Sequence, residues 1–571
     1  MTGFCNRRRG RSMLPSLVSR HSLRSYVHGA SPVALLGETI GANLRRTVDR
    51  YGDREALVAP AQGYRATYRQ LWDATTTLAK ALLARGVAKG DRVGIWSPNR
   101  FEWVVIQYAT ARVGAILVNL NPAYKVQELG HALTQSGLTL LLLSRGFRQT
   151  DYMEILAQVR PECPALREAV VLDDEWTTLL EESGSIDDDR LAAREASLTF
   201  DDPINIQYTS GTTGAPKGAT LSHHNILNNG FFCGEVLRYT EIDRVCVPVP
   251  FYHCFGMVIG NLACTSHGAC IVVPGEGFDP KGTLAAIEAE RCTSLYGVPT
   301  MFIAQLDHPD FERTDFSSLR TGVMAGSPCP VEVMKQVRER MHIPDITICY
   351  GMTETSPVST QTRVDDPVEK RVTTVGSVHP HVEVKIVDPD SGRVVGRNES
   401  GELCTRGYSV MLSYWNDTTA TAAAIDPGRW MHTGDLASMD DDGYIAIVGR
   451  IKDMIIRGGE NVYPREIEEF LYTHPDVAEA QVIGVPSARY GEEVMAWVKP
   501  RPNASVDAKG LTAFCRGAIA TYKIPKYWKI VDAFPMTVTG KVQKYLMREI
   551  SARELGLASA QDDARTEDQQ A

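Results

Sequence analysis

Between Tyr208 and Gly218 the chain reads Tyr-Thr-Ser-Gly-Thr-Thr-Gly-Ala-Pro-Lys-Gly. Three glycines, four Ser/Thr hydroxyls and a lysine fall within that stretch. Glycine lets the backbone come close to an anion and turn its N–H groups inward. Ser210, Thr212 and Thr213 can donate to phosphate oxygens, and Lys217 adds a point charge. A polyphosphate needs this combination, although a flexible polar turn has a similar composition. The stretch is not a Walker A loop, which puts Gly before the lysine and Ser or Thr after it. Here Pro216 precedes Lys217 and Gly218 follows it, and neither GxGxxG nor GxSxG occurs in the chain.

Four further blocks lie downstream: Tyr350-Gly-Met-Thr-Glu-Thr355, Thr433-Gly-Asp435, Gly449-Arg-Ile-Lys-Asp453 and Pro535-Met-Thr-Val-Thr-Gly-Lys541. Singly each has an ordinary reading. Glu354 alone is a solvated loop acid, Tyr350 a core aromatic, Asp435 and Arg450 surface charges, and Lys541 a solvated lysine. As an ordered set with the glycine loop, they resemble the adenylate-forming superfamily of acyl-CoA synthetases, peptide-synthetase adenylation domains and luciferases. The resemblance runs from about residue 38 to 550. Asn119-Leu-Asn-Pro-Ala-Tyr124 and the general texture look most like the medium-chain fatty acyl-CoA ligases.

The resemblance implies two half-reactions, in which a carboxylate attacks the α-phosphate of Mg-ATP and the CoA thiol then takes the acyl group from the adenylate. It assigns Thr209, Ser210, Gly211, Thr212, Gly214, Lys217 and Gly218 to the phosphates, and Thr213 to the α-phosphate region and the metal. Glu354 becomes the Mg²⁺ carboxylate, in keeping with the oxygen donors that ion prefers. Tyr350 stacks on adenine, with Gly351, Met352 and Thr353 beside it and Gly326, Ser327 and Pro328 as the opposite wall. Asp435 accepts from the ribose hydroxyls and Arg450 supports it. Lys541 bridges the incoming carboxylate and the α-phosphate. His253, in Pro250-Phe-Tyr-His-Cys-Phe-Gly256, borders the acyl pocket together with Gly326; a satisfied core histidine is the competing reading. Cys254 has no activating base in view and carries little weight. Lys452 matches the hinge about which a small C-terminal domain swings, and Gly459 matches a glycine lining the pantetheine tunnel. A plain turn glycine in Arg457-Gly-Gly-Glu-Asn461 fits equally well.

Helix and strand signals alternate to position these groups. Thr67 to Arg85 and Phe101 to Val113 read as helices, and Arg92 to Trp96 and Ala115 to Leu120 as strands. That rhythm predicts an α/β fold with mostly parallel sheets flanked by helices. Past Val372 the texture turns antiparallel, with strands at Val382 to Val387, Gly401 to Thr405 and Tyr444 to Val448. Pro464 to His474 reads as a helix with proline in its first turn. The expected organisation is a leader at 1–37, a large N-terminal domain of several subdomains at 38–451, a small mobile α+β domain at 452–555 and a disordered tail at 556–571.

With 571 residues, 43% hydrophobic and 23% charged, the chain has ample material for more than one core. A net charge of −9 with no basic cluster in the body argues against a nucleic-acid partner. No apolar run approaches a membrane span, which leaves peripheral contact with a membrane open. Twelve cysteines with no CxxC pair read as reduced thiols, and their spacing suggests no zinc site. The first 37 residues hold six arginines, six serines and no Asp, Glu or Lys. They resemble a mitochondrial presequence, while the composition of the body favours a bacterial cytoplasm. Oligomeric state is not legible.

Within this class the expected substrates are a fatty acid, ATP and CoA, with Mg²⁺ as cofactor. The pocket is expected behind Tyr252 to Gly260, Tyr296 to Met301 and Gly322 to Gly326, where apolar residues and glycines dominate. That suits an aliphatic chain better than an amino acid, whose ammonium would want a carboxylate. A carrier protein as acceptor, an aryl acid as substrate, or a non-catalytic nucleotide- or lipid-binding role are the alternatives. The last would be marked by a lost Lys541, Glu354 or loop glycine, and none is lost.

Overall fold

A computed structural model describes residues 24–209, 216–502, 504–537 and 541–557. Strands of two to seven residues build two large sheets. One orders its seven strands as 413–414, 217–222, 203–209, 116–119, 92–96, 140–143 and 168–171. Its last five strands are parallel. Leu140–Leu143 is buried on both faces, as a strand covered by helices must be. The second sheet has nine strands, with a parallel interior running from Asp345–Gly351 through Thr321–Ala325, Ser294–Gly297, Arg244–Cys246 and Cys270–Val272 to Glu55–Ala59.

Helices fill the space between these sheets. Phe101–Val113 is buried around almost its whole circumference. Tyr68–Ala84 begins at a reciprocal cap: Thr67 N–H donates to Gln70 Oε1 at 2.8 Å, and Gln70 N–H to Thr67 Oγ1 at 3.3 Å. Both helices and the strands Arg92–Trp96 and Ile116–Asn119 fall where the hydrophobic spacing puts them.

A third, five-stranded sheet is antiparallel throughout and contains Val382–Val387, Gly401–Gly407, Met431–Met439 and Ile445–Arg450. Its edge strand is Tyr26–His28, paired with Val382–Val387. This corrects the expected leader. Residues 24–37 belong to the fold: the Leu36 N–H also donates to Asn228 Oδ1 at 2.7 Å. Residues 1–23 lie outside the described part.

After the turn Ile451–Asp453 the chain enters a separate sheet of Ile455–Arg457, Glu460–Val462, Val477–Ser487, Gly491–Pro500 and Tyr527–Ile530. The predicted helix ends at Tyr472, two residues early, so it spans Pro464–Tyr472. The architecture is thus mixed α/β with a large N-terminal and a small C-terminal part. The two parts meet at the helix Pro464–Tyr472. Arg465 Nη1 donates to the Ile447 carbonyl at 3.0 Å. Residues 556 and 557, expected to open the tail, are part of the fold. Gly556, at φ 63°, and the Leu557 N–H bond to the Ala552 carbonyl still close the last helix, and residues 558–571 lie outside the description.

Candidate functional site

The glycine-rich loop joins two antiparallel strands, Pro203–Thr209 and Lys217–Ser222, and Thr209 pairs directly with Lys217. Its two ends are therefore pinned side by side. Ser210, Gly211, Thr212, Thr213 and Gly214 lie outside the described residues. Lys217 is exposed, and its ammonium sits 5.2 Å from the centre of the Tyr414 ring. Tyr414 comes from a two-residue strand paired to the same ladder.

Glu354 sits in a short 3₁₀ turn directly after the strand Asp345–Gly351 and is only 4% exposed. The Tyr414 hydroxyl donates to its Oε1 at 2.7 Å, and its backbone carbonyl accepts the Met411 N–H at 2.9 Å. Burial holds this carboxyl above the usual range, while the Tyr414 hydroxyl, Lys541 and Lys217 pull it back down. Glu354 is thus a desolvated hard-oxygen donor in the field of two lysines. Its chemistry fits a magnesium ligand.

Gly326 and Tyr350 follow a matched pair of parallel strand ends, since Ala325 is in register with Cys349. Ligands bind outside the carboxyl ends of such strands. Tyr350 is half-buried, and Gly326 and Pro328 are exposed. Gly326 adopts φ 94°, which disfavours any side chain.

Asp435 owes its position to a bulge. Glu402 pairs with Leu436 and Cys404 with His432, so Leu403 alone faces Thr433, Gly434 and Asp435. The Thr433 hydroxyl donates to the Leu403 carbonyl at 2.7 Å and the Gly434 N–H to Glu402 Oε1 at 3.1 Å. Asp435 is 8% exposed. Its Oδ2 accepts from the Tyr350 hydroxyl at 2.7 Å and its Oδ1 from Arg450 Nε at 3.1 Å. Each oxygen keeps a further lone pair for a ligand hydroxyl.

Lys541 arrives from the C-terminal part on a closed turn. The Thr537 N–H donates to the Lys541 carbonyl at 2.7 Å, and the Lys541 N–H donates to Thr537 Oγ1 at 3.0 Å. The following helix, Lys544–Glu554, is braced by Lys544 on Glu468 at 2.6 Å and Arg548 on Asp453 at 2.9 Å. The Lys541 ammonium lies in the field of Arg450, Glu354, Asp435 and Cys254. Burial pushes it below the ordinary lysine range, Arg450 adds to this, and the two carboxylates oppose it. His253 joins the same group. Burial takes its pKa down to about 3, with Lys541 contributing, so the ring is neutral at physiological pH. Its Nδ1 accepts the Phe255 N–H at 3.1 Å.

One position stands apart. Gly459 lies in the hairpin between Ile455–Arg457 and Glu460–Val462 at φ 90°, with open space around it, so the turn alone accounts for glycine there. Lys452 occupies the turn Ile451–Asp453 between the two parts.

Sequence reasoning missed Tyr414, whose only signal is the aromatic pair Tyr414-Trp415 beyond the antiparallel strands. It also missed a buried amide network under His253. Gln207 Nε2 and Asn119 Nδ2 both donate to the Met257 sulfur, at 3.0 and 3.1 Å, and the Cys254 thiol donates to Gln207 Oε1 at 3.1 Å. Burial raises the Cys254 thiol far above its ordinary range, which leaves it inert as a nucleophile.

The sequence pattern of the AMP-binding enzyme matches residues 44–415, and that of the AMP-binding enzyme C-terminal domain matches 466–541. The chain belongs to the AMP-binding enzyme family. This AMP-binding enzyme is 48% identical to YngI of Bacillus subtilis, to which acyl-CoA synthetase activity is ascribed, over 92% of this chain and 100% of that one. It is 44% identical to the mitochondrial medium-chain acyl-CoA ligase ACSF2 of Danio rerio, over 93% and 91% of the two chains. Among solved structures it resembles the anthranilate CoA ligase AuaEII in complex with anthranoyl-AMP. The TM-score is 0.80 at 27% identity, covering 90% of this chain and 98% of that one. The expected family is borne out.

Proposed function

We propose that the chain activates a fatty acid, medium-chain by preference, to acyl-AMP and then transfers the acyl group to CoA. The class is firm: an AMP-binding enzyme related along its length to acyl-CoA synthetases and ligases is an AMP-forming CoA ligase. The observation that carries the mechanism is the convergence of Lys541, from the C-terminal part, on Glu354, Asp435, Arg450 and His253 of the N-terminal part.

In the first half-reaction a carboxylate oxygen of the acid attacks the α-phosphorus, and the bond to the bridging oxygen breaks, so its electron pair leaves with pyrophosphate. Two anions must meet, and the work is electrostatic. Tyr350 and the Gly326–Pro328 wall hold adenine. Asp435, oriented by Tyr350 and Arg450, accepts from the ribose hydroxyls. The Lys541 ammonium sits between carboxylate and phosphate and offsets their repulsion. Glu354, with Thr213 from the glycine loop, would hold Mg²⁺, which neutralises phosphate charge when bound. Neutral His253 borders the acid without adding charge. In the second half-reaction the CoA sulfur attacks the acyl carbon, AMP leaves and the thiol proton goes to solvent. Rotation of the small part about Lys452 would withdraw Lys541 and bring Gly459 to the pantetheine path.

An aliphatic acid is supported by the named medium-chain relative and by the apolar walls near Tyr252–Gly260. The likeness to an anthranilate ligase favours an aryl acid as the second reading. No described helix is long and apolar enough to cross a membrane. We place the protein in the cytoplasm, with the mitochondrial matrix as the alternative raised by its arginine-rich start.

Purified protein incubated with ATP, Mg²⁺ and a panel of straight-chain acids of graded length plus benzoates, read by pyrophosphate release, tests the substrate. A maximum among medium-chain acids is expected; a preference for benzoates would replace this reading with the second. Thioester formation with free CoA, compared with a carrier protein, tests the acceptor.

A further inference from the structure

Outside the nucleotide-facing groups, three side chains meet on one face of the five-stranded sheet. Glu402 and Cys404 are two residues apart on the strand Gly401–Gly407 and so project on the same side. His432 lies directly across from Cys404. Its Nδ1 is 2.8 Å from Glu402 Oε2 and 3.5 Å from Cys404 Sγ. One ligating atom from each residue lies within 4.8 Å of the other two.

The surroundings are those of a metal site. A metal-binding imidazole commonly passes its other ring N–H to a carboxylate, and a ligating carboxylate is itself hydrogen-bonded. Here the His432 Nε2 faces Asp426 Oδ2 at 3.8 Å. The second oxygen of Glu402 accepts the Gly434 N–H at 3.1 Å. A donor set of one imidazole nitrogen, one sulfur and one carboxylate oxygen suits a borderline ion and not Mg²⁺. Cys404 is buried, but the His432 side chain is 35% exposed, so the cluster borders solvent.

We propose that Glu402, Cys404 and His432 bind a divalent cation of the zinc class, separate from the Glu354 site. The sulfur–metal bond forms as the Cys404 thiol releases its proton to solvent, and the imidazole binds through a ring-nitrogen lone pair. Burial and Glu402 push that thiol up to about 12 in the metal-free protein, with Asp426 adding to the rise and Lys385 opposing it, so the proton is bound until the cation displaces it. Glu402 is also the residue that holds Gly434, within the bulge that carries Asp435.

Titration of the full-length protein with Cd²⁺ in excess Mg²⁺, followed by the ultraviolet thiolate-to-cadmium band, tests this. Folding of each variant is checked by circular dichroism. A band saturating at one equivalent is expected, lost in Cys404→Ser. His432→Gln, at a part-exposed position, should weaken Cd²⁺ by at least about tenfold. Absence of the band in the unmodified protein overturns the proposal. So does a full-amplitude band in Cys404→Ser, or unchanged Cd²⁺ affinity in folded His432→Gln.

Discussion

The Tyr414 hydroxyl donates to Glu354 Oε1 at 2.7 Å, and the same ring lies under the Lys217 ammonium. One aromatic side chain therefore links the end of the glycine loop to the carboxylate that would hold the metal. The bond favours the charged form of Glu354, which burial opposes. Tyr414→Phe removes it, so the Glu354 pKa rises further and the acidic limb of the adenylation rate moves to higher pH. A hydrogen bond to a charged group contributes about 1.5–3 kcal/mol. A loss of about tenfold or more in Mg²⁺-dependent kcat/KM is expected, measured by pyrophosphate–ATP exchange across pH.

Lys541→Ala should divide the two half-reactions. Acyl-AMP formation is expected to fall by about 10²–10³-fold, the usual cost of deleting one preorganised charge-stabilising group. Transfer from prepared acyl-AMP to CoA should change only a few-fold. Equal losses in the two assays would remove the division of labour assigned to this lysine.

The depressed Lys541 pKa gives a pH dependence of definite sign. The ammonium is the useful form, and it loses its proton at lower pH than a free lysine, whose pKa is about 10.4. Adenylation should therefore fall as pH rises through that displaced value, and the transfer half-reaction should show no matching limb. Lys541→Arg, whose guanidinium stays charged, should lack the limb while keeping part of the rate. Parallel pH profiles of the two half-reactions check this.

Asp435→Asn keeps the shape of the ribose contact but loses its charge and its pairing with Arg450. The KM for ATP is expected to rise by about 10–100-fold, equivalent to 1.4–2.8 kcal/mol. The KM for the acid should change little. Initial-rate kinetics with each substrate varied in turn distinguishes the two.

Local chemistry made much of this readable in advance. Phe101–Val113 and Arg92–Trp96 fall where apolar spacing placed them, because their boundaries are set by residues next to them in sequence. Glu354, Asp435, Arg450 and Lys541 were named from motifs alone, and the fold brings them together. What stayed hidden depends on register between distant segments. Nothing around Tyr414 announces Glu354, 60 residues earlier. The spacing of Glu402, Cys404 and His432 resembles no metal motif until two strands pair across a bulge. The start of the fold was set too late for the same reason. Tyr26–His28 lies in a stretch of basic composition, and only its partner strand shows it to be structural.

That edge strand has a consequence for how the molecule is made. Tyr26 waits for Lys385 as its partner, so the earliest folded residues cannot settle until the ribosome has delivered most of the chain. Trimming past Tyr26 strips the outermost strand from its sheet.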